Sequence, residues 1–403
     1  MVSRLILLFS IAKLLSPEEL GLFGLMIATV LFSVIIIGAD YYTYSQRELL
    51  SRPIEEWSTV VHNQIKAQVT LYLVLLPAQV FIFVFGFLDW KYMQWFFILL
   101  ILEHLAQEIN RLLISMHKQL MASFVLFMRT ASWILVALPI MFFYEESRSL
   151  TTLYTAWMIG CVSSIVIGIF AIKQELPNWN NKPTDYEFLV KGFKVGGLFL
   201  IATICFKGLL TFDRYAIEAL SSIEILGVYV FYIGVVMGAY NLLEPAIFSF
   251  LYPRMLQNYQ MNRMIEYLKV FRELTLSTIV GCILLVPVIW FVVPIIIDWI
   301  DKPIYTNNSD GLALLILAGL AHTLGMIPHY ALYAMKGDRW IVIAHISSIM
   351  IFFISLELIT LENSIQTVAL ALLLAFSWIA SVKIIGLVVI HKKLNVTSTS
   401  SIS

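Results

Sequence analysis

Glu18-Glu19-Leu20-Gly21-Leu22-Phe23 returns 206 residues later as Glu224-Ile225-Leu226-Gly227-Val228-Tyr229. Ser16 and Ser222 precede the two copies at the same offset, and each copy opens a long apolar stretch. A spacing of half the chain describes two similar halves, whereas a solenoid repeats every ~20–50 residues. Two like halves in an apolar membrane chain are the pattern of a transporter with its site between them. Six matched positions are weak evidence in apolar sequence. Their equal topological phase in both halves gives the match its weight.

Composition sets the class. Hydrophobic residues make up 60% of the chain and charged residues 13%, with a mean hydropathy of +0.87. A soluble domain carries roughly 25% charged residues, so this chain lacks an ordinary wetted surface. The net charge is zero, which argues against nucleic acid as a partner. Cys161, Cys205 and Cys282 fall in apolar runs without metal-ligand spacing and read as small hydrophobes. Neither a metal site nor a cofactor is expected, and no catalytic residue stands out. The N-terminal apolar run leads into Lys13-Leu14-Leu15-Ser16-Pro17 rather than a signal-peptide cleavage pattern.

A helix needs ~20 apolar residues to cross the bilayer core. Full-length candidates are 20–39, 66–88, 93–115, 119–143, 150–172, 190–216, 222–250, 272–298, 310–335, 339–360 and 364–390, preceded by a partial run at 1–15. The sequence therefore predicts an all-α polytopic membrane protein of about 12 transmembrane helices. With a cytoplasmic N-terminus, the loops on the cytoplasmic side hold seventeen Lys and Arg residues and those opposite hold five, as the positive-inside rule requires. Both termini are then cytoplasmic. The expected organisation is a six-helix lobe at 1–172, a cytoplasmic connector at 173–189, a six-helix lobe at 190–391 and a polar, disordered tail at 392–403. Under the repeat, the first helix lacks roughly 17 residues that its partner at 190–216 possesses. That deficit reads as a truncated first helix, because a half-length helix leaves backbone groups exposed to lipid.

Ionisable groups at bilayer depth cost at least ~2.5–3.5 kcal/mol each and so call for a partner or a function. The 93–115 span carries Glu103, His104, Gln107, Glu108, Asn110 and Arg111; positions 103, 107 and 110 share one face. Glu108 lies 10 residues before the turn at 118–119 and Arg129 lies 10 beyond it, at matching depth. This suggests either a structural Glu108–Arg129 pair or an Arg129 contact with an anionic headgroup. Lys207 has no acid one turn away in its own helix, leaving a cross-helix partner or a substrate as its counter-charge. Asp213 and Arg214 lie near the outer end, where they could also be interfacial anchors. Asp40 maps two positions from Glu244 under the repeat, so each half has a carboxylate near the inner third of its second helix. Each reads as a cation- or proton-carrying group or as a solvated helix end. Gly319, Gly325 and Pro328 interrupt the tenth span beside His322 and His329, and irregular backbone at that depth suggests a cavity lining.

Several segments resemble bacterial polysaccharide-biosynthesis flippases. Leu14 to Phe23 is similar to the end of their first helix, and Gly38-Ala39-Asp40 with Gln46-Arg47-Glu48-Leu49 is similar to the end of their second. Thr211-Phe212-Asp213-Arg214, Leu226-Gly227-Val228-Tyr229 and Tyr252-Pro253-Arg254-Met255 resemble their seventh- and eighth-helix pattern, and Met335-Lys336-Gly337-Asp338 the turn after the tenth. The resemblance implies the multidrug/oligosaccharidyl-lipid/polysaccharide exporter (MOP) superfamily, with two six-helix lobes around a cavity. It further implies flipping of an undecaprenyl-pyrophosphate-linked oligosaccharide across the bacterial inner membrane for O-antigen, capsule or exopolysaccharide, in contact with polysaccharide polymerase machinery. Arg129, Lys207 and Arg214 would then be cavity cations. A cation-coupled multidrug exporter of the same superfamily would instead use Glu103, Glu108, Asp40, Glu244 and Asp213. A membrane glycosyltransferase or polymerase is the remote alternative, since no acidic metal-binding pair occupies a cytoplasmic loop.

The topology predicts that cysteine introduced at Asn180 is shielded from an impermeant thiol reagent in intact cells while cysteine at Asn307 reacts. Reversed labelling would refute it.

Overall fold

The computed structural model describes residues 2–176 and 184–400, with the side chains of 198–199 and 392–400 outside the description. The connector's Pro177 to Pro183 stretch therefore lies outside the described residues. Helices carry nearly all of the described chain, and no strand occurs among those residues. We number them α1 Val2–Leu14, α2 Pro17–Gly38, α3 Ile54–Val84, α4 Met93–Ser115, α5 Gln119–Phe143, α6 Leu150–Glu175, α7 Tyr186–Leu220, α8 Ile223–Gln260, α9 Met264–Ile300, α10 Ser309–Ala334, α11 Asp338–Leu358 and α12 Ser364–Ser400.

Among the described residues nine of these, all but α1, α4 and α7, are long and apolar enough to cross a membrane. A tenth, α7, joins them if its 46° bend between Tyr186–Gly197 and Leu200–Leu220 lies within one span. With 23 residues α4 has the length, but it carries Glu103, Glu108 and Arg111. With 13 residues, α1 is short. The expected crossing at 66–88 starts earlier, at Ile54. The backbone of α12 stays helical to Ser400, into the stretch that reads as a polar tail.

By proximity the chain forms two compact units, residues 22–207 and residues 1–21 with 208–403. In the first, Leu113, Val125 and Phe188 lie in a buried core with Trp57 and Leu71. The end of α2 docks on α7 through two glycines: a Cβ at Gly196 would lie 2.4 Å from the Ala39 carbonyl, and one at Gly192 would lie 2.3 Å from the Tyr41 ring. Small residues four apart are the usual means of close approach between membrane helices.

The second unit contains both copies of the repeat's glycine. Ser222 caps α8 by accepting from the Ile225 amide at 3.3 Å. Ser16 and Glu19 form the reciprocal capping box of α2, with bonds of 3.1 and 3.0 Å. The two helix starts then meet: a Cβ on Gly227 would lie 1.8 Å from the Pro17 carbonyl, and one on Gly21 would lie 2.4 Å from that of Ile223. Leu5 and Leu8 of α1 fill the clefts that Gly238 and Gly234 leave on α8. Lysines cap the C-terminal ends of α1 and α9 reciprocally. Lys302 donates to the Ala12 carbonyl at 2.7 Å and also to Leu15, while Lys13 donates to the Trp299 carbonyl with its ammonium 4.6 Å from the Trp299 ring centre. A cation there meets unpaired carbonyls and the negative end of the dipole. Burial pushes the Lys302 ammonium below the ordinary lysine range, while Glu19 acts against that shift.

Gly227→Ala must displace backbone and should lower stability by about 1–3 kcal/mol, read as a fall in Tm of the purified protein. Gly234→Ala meets only the movable end of Leu8, 2.6 Å away, and should lower Tm less. Equal effects would refute the backbone-contact account.

Candidate functional site

The polar face of α4 organises the interior of the first unit. Glu103 is 5% exposed and gathers three partners from two neighbouring helices. The indole of Trp157 donates to it at 3.1 Å and the Cys161 thiol at 3.3 Å, while Arg129 Nε stands 3.6 Å away. The expected Glu108–Arg129 pair is therefore corrected to Glu103–Arg129. Depth alone misled: five residues separate Glu103 and Glu108, which places them roughly 140° apart around the helix. Arg129 also sits in a π-helical turn, Met128–Ser132, which re-aims side chains relative to a regular helix.

Glu108 turns to its own helix and to α3. Arg111 Nη1 lies 2.6 Å from it, Gln64 donates at 3.0 Å, and His104 Nε2 is 3.9 Å away. His104 is fully buried, with its Nδ1 2.7 Å from the Tyr72 hydroxyl. Arg111 also covers the Tyr42 ring at 3.5 Å. A pocket of about 340 Å³ opens between α3, α4 and α6, with apolar walls such as Val61, Ile109 and Ile172 and with Gln64, Gln68, Tyr72, Glu108 and Lys173 as its polar groups.

Asp40 ends α2 with φ +48°, following Ala39 at +46°. Its carboxylate accepts from the Thr203 hydroxyl at 3.1 Å. Burial pushes this carboxyl above the usual carboxylate range, while the Thr203 hydrogen bond and the Arg111 charge pull the other way. Lys207 is an exposed side chain on α7, with its ammonium 5.7 Å from the Phe206 ring centre.

In the second unit Arg214 is neutralised locally. Its Nη1 lies 3.0 Å from Asp213 and also donates to the Leu210 carbonyl. Asp213 is fully buried and accepts from the Tyr229 hydroxyl at 2.7 Å, tying α7 to the repeated motif on α8. Glu244 opens a π-helical turn, Glu244–Phe248, where Pro245 supplies no N–H. It accepts from the Tyr330 hydroxyl at 2.7 Å, and Phe248 and Tyr252 lie against the Tyr330 ring at 5.1 and 4.9 Å.

Sequence reasoning missed Lys383, which is 2% exposed on α12. It lies seven residues short of the expected span end at 390, too deep for a boundary lysine, and that spacing was the available signal. His345, Trp157 and Cys161 were also missed; nothing in their spacing marks them as polar contacts.

Comparison with solved structures follows this geometry. The inward-facing conformation of a multidrug resistance MATE family transporter of the MOP superfamily matches with a TM-score of 0.77 at 13% identity, covering 100% of this chain and 96% of the other. A MATE in complex with MaD3S matches at 0.58 and 14% identity, covering 99% and 96%. The outward-facing conformation of a multidrug resistance MATE transporter matches at 0.56 and 15% identity, covering 98% and 93%. The fold is that of a MATE-like MOP transporter. No family model matches the chain, and no curated protein matches its sequence. The expected fold class is thereby established, while flippase membership is not.

Arg129→Met strands a buried carboxylate and should cost about 3–5 kcal/mol, read as a loss of Tm and of membrane-inserted protein. Glu103→Gln added to it should restore part of the stability. Rescue by Glu108→Gln instead would refute the pairing.

Proposed function

We propose that the chain is a bacterial inner-membrane exporter that works by alternating access and moves an amphiphilic small molecule against a cation gradient. The observation that carries this reading is the distribution of counter-charge. Arg129 and Arg214, both candidates for gripping pyrophosphate, are already answered by Glu103 and Asp213. Asp40 and Glu244 hold one hydroxyl hydrogen bond each, from Thr203 and Tyr330, and neither enters an ion pair among the described residues. Carboxylates so placed can take a cation or a proton. The fold likeness to MATE transporters and the apolar pocket with few polar groups support the same reading.

The raised proton affinity of Asp40 suits exchange between a proton and another cation. Its carboxyl is protonated at a higher pH than a free one, so loading of a metal cation at Asp40 should strengthen as pH rises through that value.

A second reading rests on Lys207, an exposed residue of α7 whose ammonium would meet the pyrophosphate of a lipid-linked oligosaccharide. Both termini would face the cytoplasm in either case.

Everted membrane vesicles containing the protein separate the two. With an imposed Na⁺ or H⁺ gradient they should take up a fluorescent amphiphile from a panel including ethidium and carboxyfluorescein. Asp40→Asn or Glu244→Gln should cut that uptake at least tenfold without lowering protein level. Failure to move any member of the panel, together with loss of surface glycan on gene deletion, would favour the second reading. Wild-type uptake by both carboxylate variants would refute the coupling assignment.

A further inference from the structure

The second unit gathers basic side chains from three helices, α10, α11 and α12, around a buried lysine. Lys383 on α12 is 2% exposed, and among the described residues it forms neither a hydrogen bond nor an ion pair. His329 on α10 lies within electrostatic reach of both Lys383 and His322. Its Nδ1 is buried without a hydrogen-bond partner. His345 on α11 stacks on the His329 ring, with centroids 6.1 Å apart and planes inclined by 11°. Glu244, which accepts from the neighbouring Tyr330, forms no ion pair with Lys383 among the described residues.

A cation buried without compensation is among the most expensive arrangements at bilayer depth. A metal ion does not explain the histidines, because no group of three His, Cys, Asp or Glu among the described residues could hold one and the adjacent ammonium would repel it. The missing component is negative. Lys383 offers three donors, and a lysine is an effective point charge for phosphate. His329 adds a fourth donor in the neutral tautomer that carries its proton on Nδ1. The backbone beside these groups is irregular: α10 is interrupted at Gly325, between segments ending at Leu324 and starting at Met326, with His322 and His329 on either side.

We propose that Lys383 and His329, flanked by His322 and His345, form a binding site for an oxyanion of the phosphate class within the second unit. This deepens the export reading by giving the exported amphiphile an anionic head, and it rests on that reading only for the identity of the cargo. The head could belong to a membrane lipid or to a free phosphorylated compound.

Binding is measured on the purified full-length protein in neutral detergent, with no ion gradient, so failed export and failed binding remain distinguishable. The probes are inorganic pyrophosphate, dioctanoyl phosphatidic acid and, as the uncharged control, dioctanoylglycerol. At least one anionic probe should bind and raise Tm, and the control should not. Lys383→Met should weaken binding at least tenfold, His329→Gln by severalfold, and Lys383→Arg should restore most of the affinity. Binding of pyrophosphate would show that free phosphate suffices, whereas binding of phosphatidic acid alone would assign the site to a lipid headgroup. Because Lys383→Met removes an uncompensated cation, its Tm without probe should equal or exceed that of the parent. A lower Tm would reveal a structural counter-charge and overturn the proposal. So would equal affinity in parent and Lys383→Met, or binding of neither anionic probe.

Discussion

The constraint on which this molecule depends is that a charge at bilayer depth must be answered by protein. Water is absent to solvate it, and each uncompensated ion costs several kcal/mol. The interior of the first unit is organised around that requirement. Glu103 draws Arg129 from α5 and Trp157 and Cys161 from α6, so one carboxylate holds three helices in register. Glu108, on the other side of α4, pairs with Arg111 of its own helix and ties in α3 through Gln64. Lipid gives apolar helices little reason to prefer one neighbour over another, so polar contacts and close backbone approach carry the specificity.

Helix ends face the same problem in milder form. Their last carbonyls lack partners, and here lysines supply them: Lys302 to α1 and Lys13 to α9. These two cations therefore act as structural fittings of the second unit. The glycine pair adds a steric constraint. Gly21 and Gly227 let two helix starts touch backbone to backbone, which explains why the repeat keeps glycine at that offset while its neighbours vary between Leu and Val or Phe and Tyr.

The fold was largely legible because its signals are long. Spans of ~20 apolar residues and a half-chain repeat each extend over many positions, whereas the capping role of Ser16 and Ser222 emerges only from the structure. The site was legible only as an inventory of charges. Composition located Glu103, Glu108 and Arg129, but their pairing depends on angle around the helix, and the π-helical turn at Met128–Ser132 alters that angle invisibly in sequence. At Glu244 the irregular turn has a marker in the sequence, because Pro245 lacks an N–H. Asp40 lacked such a marker: its left-handed conformation lies beside Gly196, where an added Cβ would stand 3.2 Å from the Asp40 carbonyl. Lys383 was overlooked because a lysine late in a span looks like a boundary residue unless its distance to the end is measured.

The two halves share their repeat motif and diverge in their charges. In the first unit the buried cation beside α4 meets a carboxylate, so the network is closed electrostatically. In the second, Asp213 and Arg214 close one network near the repeated motif, while Lys383 and the histidines leave another open. A duplicated backbone gives the same helix starts and the same close contacts twice, because those depend on glycine and serine at fixed offsets. It does not require the same ions twice, since each charge needs only a local answer. Under the proposed export reading, function is to be sought where the protein leaves a charge without a counter-charge. There a carboxylate carries only a hydroxyl partner, as at Asp40 and Glu244, or an ammonium stands buried without an acid, as at Lys383. In that reading these groups change their occupant between states at little cost to the packing around them.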